Sequence, residues 1–134
     1  MILKVKQKPF GPVFVTFNGD DQLLYSFGET GKITSYPPDD SPVDTLIASL
    51  GSCIVKSLQW AANSQKVSLN PFRVKVTATK SAELPGWIES AEIMIIGDVV
   101  NDKTMIPRLL KQAKAICTVS NSLKSEVNLS AVEN

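Results

Sequence analysis

Two cysteines, Cys53 and Cys117, are the thiol nucleophiles of this sequence, and its 134 residues include no histidine. Without imidazole there is no Ser/His/Asp or Cys/His triad, no imidazole base, and no usual zinc or haem ligation. Chemistry is left to thiols, carboxylates, hydroxyls and cationic groups. No metal or cofactor is expected. Two thiols able to meet would most naturally perform redox chemistry.

The cysteines stand 64 residues apart, which excludes a C-x-x-C redox motif and leaves their meeting to the fold. A cysteine on the apolar side of a helix is ordinarily a small core residue, and both positions admit that reading. Around Cys53, however, Ser49 and Ser57 share its stripe one turn away and Lys56 follows three residues later, so its surroundings are more polar and cationic than the rest of the segment. Gly51 costs a buried helix about 1 kcal/mol relative to alanine, a loss that close approach of a backbone or ligand, or tight packing, would offset. Thr118, Val119 and Ser120 follow Cys117 and can start a turn whose amides point at its sulfur.

The elements that must position these thiols follow from periodicity. Residues 3–7, 13–17 and 23–27 alternate like strands, separated by Gly11-Pro12 and Asn18-Gly19-Asp20, and predict a three-stranded meander. Two glycines, two prolines and three acids between Gly28 and Asp40 predict a loop. Ser41-Pro42-Val43-Asp44 then opens a helix: Ser41 caps it, Pro42 tolerates the first turn, and Asp44 stands where a carboxylate meets exposed amides. That helix extends to about Ser64 with Lys56 as its one later charge, and Leu46, Ile47, Leu50, Ile54, Val55, Leu58 and Trp60 surround most of it. Burial nearly all round is predicted. At 1.5 Å per residue it spans about 34 Å, so a second subunit is expected to cover what one small sheet cannot.

Clean alternation from Pro71 to Thr79, a turn at Pro85-Gly86 and an apolar return over 88–96 predict a hairpin. A second helix follows over 105–117, with Pro107 in its first turn and Arg108, Lys111 and Lys114 on its polar side, and a last strand covers 127–132. The expected class is α+β, in the order β-β-β-α-β-β-α-β, as one domain over 1–134. A hydrophobic content of 43% supports a real core, and a net charge of +1 with scattered lysines argues against nucleic acid or an anionic membrane surface as partner. No apolar run reaches the roughly 20 residues a bilayer crossing needs, and the alternating N-terminus lacks a secretory core. A cytoplasmic protein with free thiols is expected.

The stretch Ser41-Pro-Val-Asp-Thr-Leu-Ile-Ala-Ser-Leu-Gly-Ser-Cys53 resembles the signature of the OsmC/Ohr family, in which a Pro-x-Glu-Leu-Leu-x-Ala-x-x-Gly-x-Cys segment opens a long buried helix. Cys117-Thr-Val-Ser-Asn-Ser-Leu123 resembles the family's second Cys-x-Val-Ser element, and the order of elements agrees along essentially the whole chain. The resemblance implies an intertwined homodimer with antiparallel sheets around the long central helices and peroxidase sites at the subunit boundary. It implies that Cys53 is the peroxidatic nucleophile and Cys117 the resolving thiol, with a small hydroperoxide as substrate and a dithiol reductant to reset the pair.

Two positions depart from the family pattern. Its thiolate-holding arginine from the N-terminal half has no counterpart here, since Arg73 is the first arginine, and Lys32 is the nearest substitute. Lys32 supplies charge without the planar fork of a guanidinium, and an ordinary solvated loop residue is its other reading. The family's glutamate is matched by Asp44, nine residues before Cys53 and on the opposite side of an ideal helix, so Asp44 is either a capping residue or part of the site. Arg108 is a further cation that a dimer would bring to the site, or else part of a solvated face. An apolar pocket near Leu46, Leu50 and Trp60 is expected to favour organic substrates. The rival readings are a non-catalytic dimer that binds a small apolar ligand at its interface and a slow redox sensor.

Overall fold

The longest helix forms because the chain supplies a start for it and no early stop. In the computed structural model, which describes residues 8–132, Ser41 is extended ahead of α1 (Pro42–Ser64) and its hydroxyl accepts from the Asp44 amide at 3.4 Å. Pro42 sits at the start, where its missing N–H has no helical acceptor to lose. The helix closes as the Gln65 amide turns back to the carbonyls of Ala61 and Ala62.

Five strands form one sheet in the order β2-β1-β3-β4-β5: β1 (Pro9–Phe17), β2 (Leu23–Phe27), β3 (Phe72–Lys80), β4 (Ile88–Ile96) and β5 (Glu126–Val132). The expected strand over residues 3–7 lies outside the described residues. A 3₁₀ turn (Lys103–Met105), α2 (Ile106–Ile116) and a short α3 (Thr118–Ser122) connect β4 to β5. Antiparallel pairing, expected throughout, holds for β2, β1, β3 and β4, but β5 runs parallel to β4, with Ala91 opposite Val127 and Ile95 opposite Ala131. The correction has a physical cause: the helical connection returns the chain to the end of the sheet from which β4 started, and a crossover of this kind yields a parallel neighbour.

Period-two alternation decides which face is buried. Val13, Val15 and Phe17 on β1, Val74 and Val76 on β3, and Ile93 and Ile95 on β4 join Ile47, Leu50, Ile54 and Leu58 of α1 in one core. Gly51 lies where α1 crosses the sheet, and a Cβ there would stand 2.9 Å from a methyl of both Val15 and Val76. The glycine is therefore matched to helix-on-sheet packing. On the opposite face Phe14 is buried beneath the Arg73 guanidinium, 4.6 Å from its ring centroid, and the Lys75 stem, whose ammonium pairs with Glu29 at 3.2 Å.

Burial of α1 is incomplete within one chain. The sheet covers one side and α2 another, but Leu46 and Trp60 remain 37% and 54% exposed on a stripe that also carries Ser49 and Lys56. Among the described residues no helix is long and apolar enough to cross a membrane.

Candidate active site

Cys53 lies midway along α1, and Cys117 occupies the corner where α2 gives way to α3. The corner exists because Cys117 leaves the helical region, with φ −71° and ψ 99°, before Thr118 resumes helical geometry. Burial of Leu109 and Ala113 on α2 holds that helix against α1, and a 3.3 Å hydrogen bond between Gln65 and Gln112 links the two at the far end. The packing carries the Cys117 thiol to Cys53, close enough for hydrogen bonding and for direct electrostatic interaction.

The two thiols are not equivalent. Cys117 is fully buried, whereas Cys53 is partly exposed on α1. Burial raises the Cys117 pKa above the ordinary thiol value; the Ser120 amide and hydroxyl act against this, and the neighbouring Cys53 adds to it. Cys53 is therefore the more accessible of the two sulfurs, and Cys117 is the one that burial keeps protonated. Both are free cysteines.

Around the pair, the structure sorts the other candidates. Lys56 does not serve Cys53 as a nearby cation: its ammonium donates to the Asp21 carbonyl at 3.0 Å, tied to the turn between β1 and β2. Lys32 is exposed on the loop joining β2 to α1, and no hydrogen bond or ion pair joins it to either thiol. That loop is anchored to β2 by paired 2.8 Å backbone bonds between Tyr25 and Thr34, two residues beyond Lys32. Asp44 sits in the first turn of α1 beside a cavity of about 110 Å³ lined with Phe27, Pro38 and Asp40. Its amide is capped by Ser41, while its Oδ1 is buried without a hydrogen-bond partner among the described residues. Arg108 is exposed on α2.

Sequence reading missed one contact next to Cys53. The Ser52 hydroxyl donates to the Ala48 carbonyl at 2.9 Å, which leaves the Tyr25 hydroxyl to donate to Ser52 Oγ, also at 2.9 Å. Tyr25 therefore ties β2, and through Thr34 the loop bearing Lys32, to the residue adjoining Cys53. Alternation of Leu23, Tyr25 and Phe27 along β2 was the available signal that Tyr25 faces the helix. The expected pocket near Leu46, Leu50 and Trp60 is also corrected. Leu50 is sealed in the core, Trp60 projects from α1, and only Leu46 lines the apolar cavity found here. Among the described residues no cluster of three His, Cys, Asp or Glu side chains could hold a metal ion.

A sequence model described as OsmC-like protein matches residues 39–131. No curated protein matches the sequence. The fold is similar to that of an OsmC-like protein from Mycoplasma pneumoniae, with 14% identity, 99% of each chain covered and a TM-score of 0.62. It is similar to an OsmC-like hydroperoxide resistance protein from Jannaschia sp., at 18% identity over 84% of this chain and 85% of that one, with a TM-score of 0.59. The organic hydroperoxide resistance protein OhrB of Bacillus subtilis superposes with a TM-score of 0.57 at 12% identity, covering 96% of this chain and 98% of its own.

Proposed function

The chain belongs to the OsmC-like family, and from that premise we propose that it is a thiol-dependent peroxidase that reduces organic hydroperoxides, and hydrogen peroxide as a lesser substrate. One observation carries the reading: a partly open thiol, Cys53, lies within interaction range of a sealed one, Cys117. The names of related proteins associated with hydroperoxide resistance support it.

In the proposed cycle the Cys53 thiolate attacks one peroxide oxygen, an S–O bond forms as the O–O bond breaks, and the departing alkoxide takes a proton to leave as an alcohol. Sulfur is oxidised to a sulfenic acid. The Cys117 thiol then attacks that sulfur, its proton leaves with the hydroxyl as water, and a disulfide remains. A dithiol reductant restores both thiols by exchange. Proximity of the thiols would shorten the search that otherwise leaves the sulfenic acid open to over-oxidation.

Lys32 and Asp44 are the proposed charged partners of the site. Lys32 would arrive on its Thr34-anchored loop, and the unpartnered carboxylate oxygen of Asp44 is a ready acceptor for a cation. A homodimer in which a second copy covers the open stripe of α1 around Trp60 accords with the exposure of that residue. Operation in the cytoplasm, where dithiol reductants are maintained, accords with two free cysteines.

Stoichiometric cumene hydroperoxide added to the reduced protein, followed by thiol counting, tests the proposal. Rapid loss of both thiols, with Cys53→Ser inert, is the expected result. Persistence of both thiols through excess oxidant overturns it.

A further inference from the structure

One mainly apolar groove of this chain is lined by neither cysteine. It is a cavity of about 420 Å³ between the start of α1 and the β3–β4 hairpin, walled by Phe10, Leu46, Trp87 and Leu123 and reached by the side chains of Lys80 and Lys124. Its size lies within the about 300–1,000 Å³ of small-molecule sites.

We propose that this groove binds a medium-chain monocarboxylate, with its alkyl chain against Leu46, Trp87 and Leu123 and its carboxylate between the ammonium groups of Lys80 and Lys124. The charge pattern selects this ligand class. No acidic residue stands among the described lining, and neither lysine has an ion-pair partner among the described residues. Each lysine is nevertheless held at the groove. The Lys124 ammonium lies 5.2 Å from the Trp87 ring centroid, and the Lys80 stem runs across Gly86, where an added Cβ would meet Lys80 Cε at 2.9 Å.

Two cations beside an apolar slot repel one another and leave the slot wet. A single anion with a hydrocarbon tail relieves both conditions, whereas a neutral apolar molecule relieves only one. A cationic amphiphile adds to the repulsion. The site is independent of thiol chemistry, so its failure would leave the peroxidase reading untouched, and the reverse also holds.

Calorimetric titration of the reduced protein with decanoate, decanol and decyltrimethylammonium tests the assignment. One saturable site for decanoate is expected, with the other two ligands bound at least about tenfold more weakly. Lys80→Gln and Lys124→Gln should each weaken decanoate about tenfold, and 0.5 M salt should weaken it further. Equal binding of decanoate and decanol by the parent protein overturns the proposal without recourse to any variant. So does unchanged decanoate affinity in the double Lys80→Gln/Lys124→Gln protein. Decanoate binding that emerges only as a dimer is diluted into monomers overturns it as well, because a second copy would then be the natural occupant.

Discussion

The thiol of Cys117, fully buried, lies within interaction range of that of Cys53, partly exposed on α1, although 64 residues separate them. The neighbouring elements account for the asymmetry. Cys53 lies near the open stripe of α1, while Cys117 closes the buried side of α2. In the proposed cycle this asymmetry would set the order of events, the accessible thiol being oxidised and the buried one supplying the second bond.

That order predicts different oxidation products for the two single variants. Cys117→Ser exposed to one equivalent of cumene hydroperoxide should retain a sulfenic acid on Cys53, trapped by dimedone and read by mass spectrometry as one adduct per chain. Cys53→Ser should give no adduct. A dimedone adduct on Cys117 in that variant would reverse the roles.

The raised pKa of Cys117 carries a pH dependence of stability. A thiol whose folded pKa exceeds its unfolded value binds more protons in the folded state between the two, so stability falls as pH rises above about 8.5. Thermal unfolding of the reduced protein between pH 7 and 10 should therefore show an alkaline decline that shrinks in Cys117→Ala. An identical decline in that variant would assign it to other groups.

Gly51→Ala is expected to destabilise the chain by about 0.5–2 kcal/mol in urea unfolding. The added methyl meets rigid β-branched side chains of Val15 and Val76 at 2.9 Å, an overpacking cost only partly offset by the better helix propensity of alanine. Adding Val76→Ala should recover part of the loss, a coupling that a double-mutant cycle measures.

Tyr25→Phe removes one hydroxyl and leaves Ser52 its bond to the Ala48 carbonyl. A stability loss of about 0.5–1.5 kcal/mol is expected from denaturant unfolding. Because Tyr25 also brackets Thr34 through its backbone, which the substitution keeps, the loop bearing Lys32 should retain its attachment to β2. Amide exchange at Tyr25 and Thr34 checks that, and protection lost at both would show that the side chain holds the loop.

Much of this arrangement was legible before folding because its causes are local. Ser41, Pro42 and Asp44 mark the start of α1 through groups within one turn of each other, and alternation at Val13, Val15, Phe17, Val74 and Val76 marks a buried sheet face through period alone. Both cysteines were visible as the reactive groups. Other features depend on surfaces that share no periodicity. The lysine three residues from Cys53 is drawn to the Asp21 carbonyl, a partner 35 residues away, and not toward the sulfur.

The sequence by itself determined the residue types, the faces of its helices and strands, and hence the class of chemistry open to a chain with two thiols and no imidazole. Tertiary structure alone decided that Cys53 and Cys117 come within interaction range, that one is sealed and the other open, that β5 runs parallel to β4, and that Lys80 and Lys124 converge on one apolar groove. The division has a single physical reason. Hydrogen bonding and side-chain direction repeat along the chain and are written in neighbouring residues, whereas the meeting of distant surfaces depends on how complementary shapes bury apolar area together, a property of the packed whole.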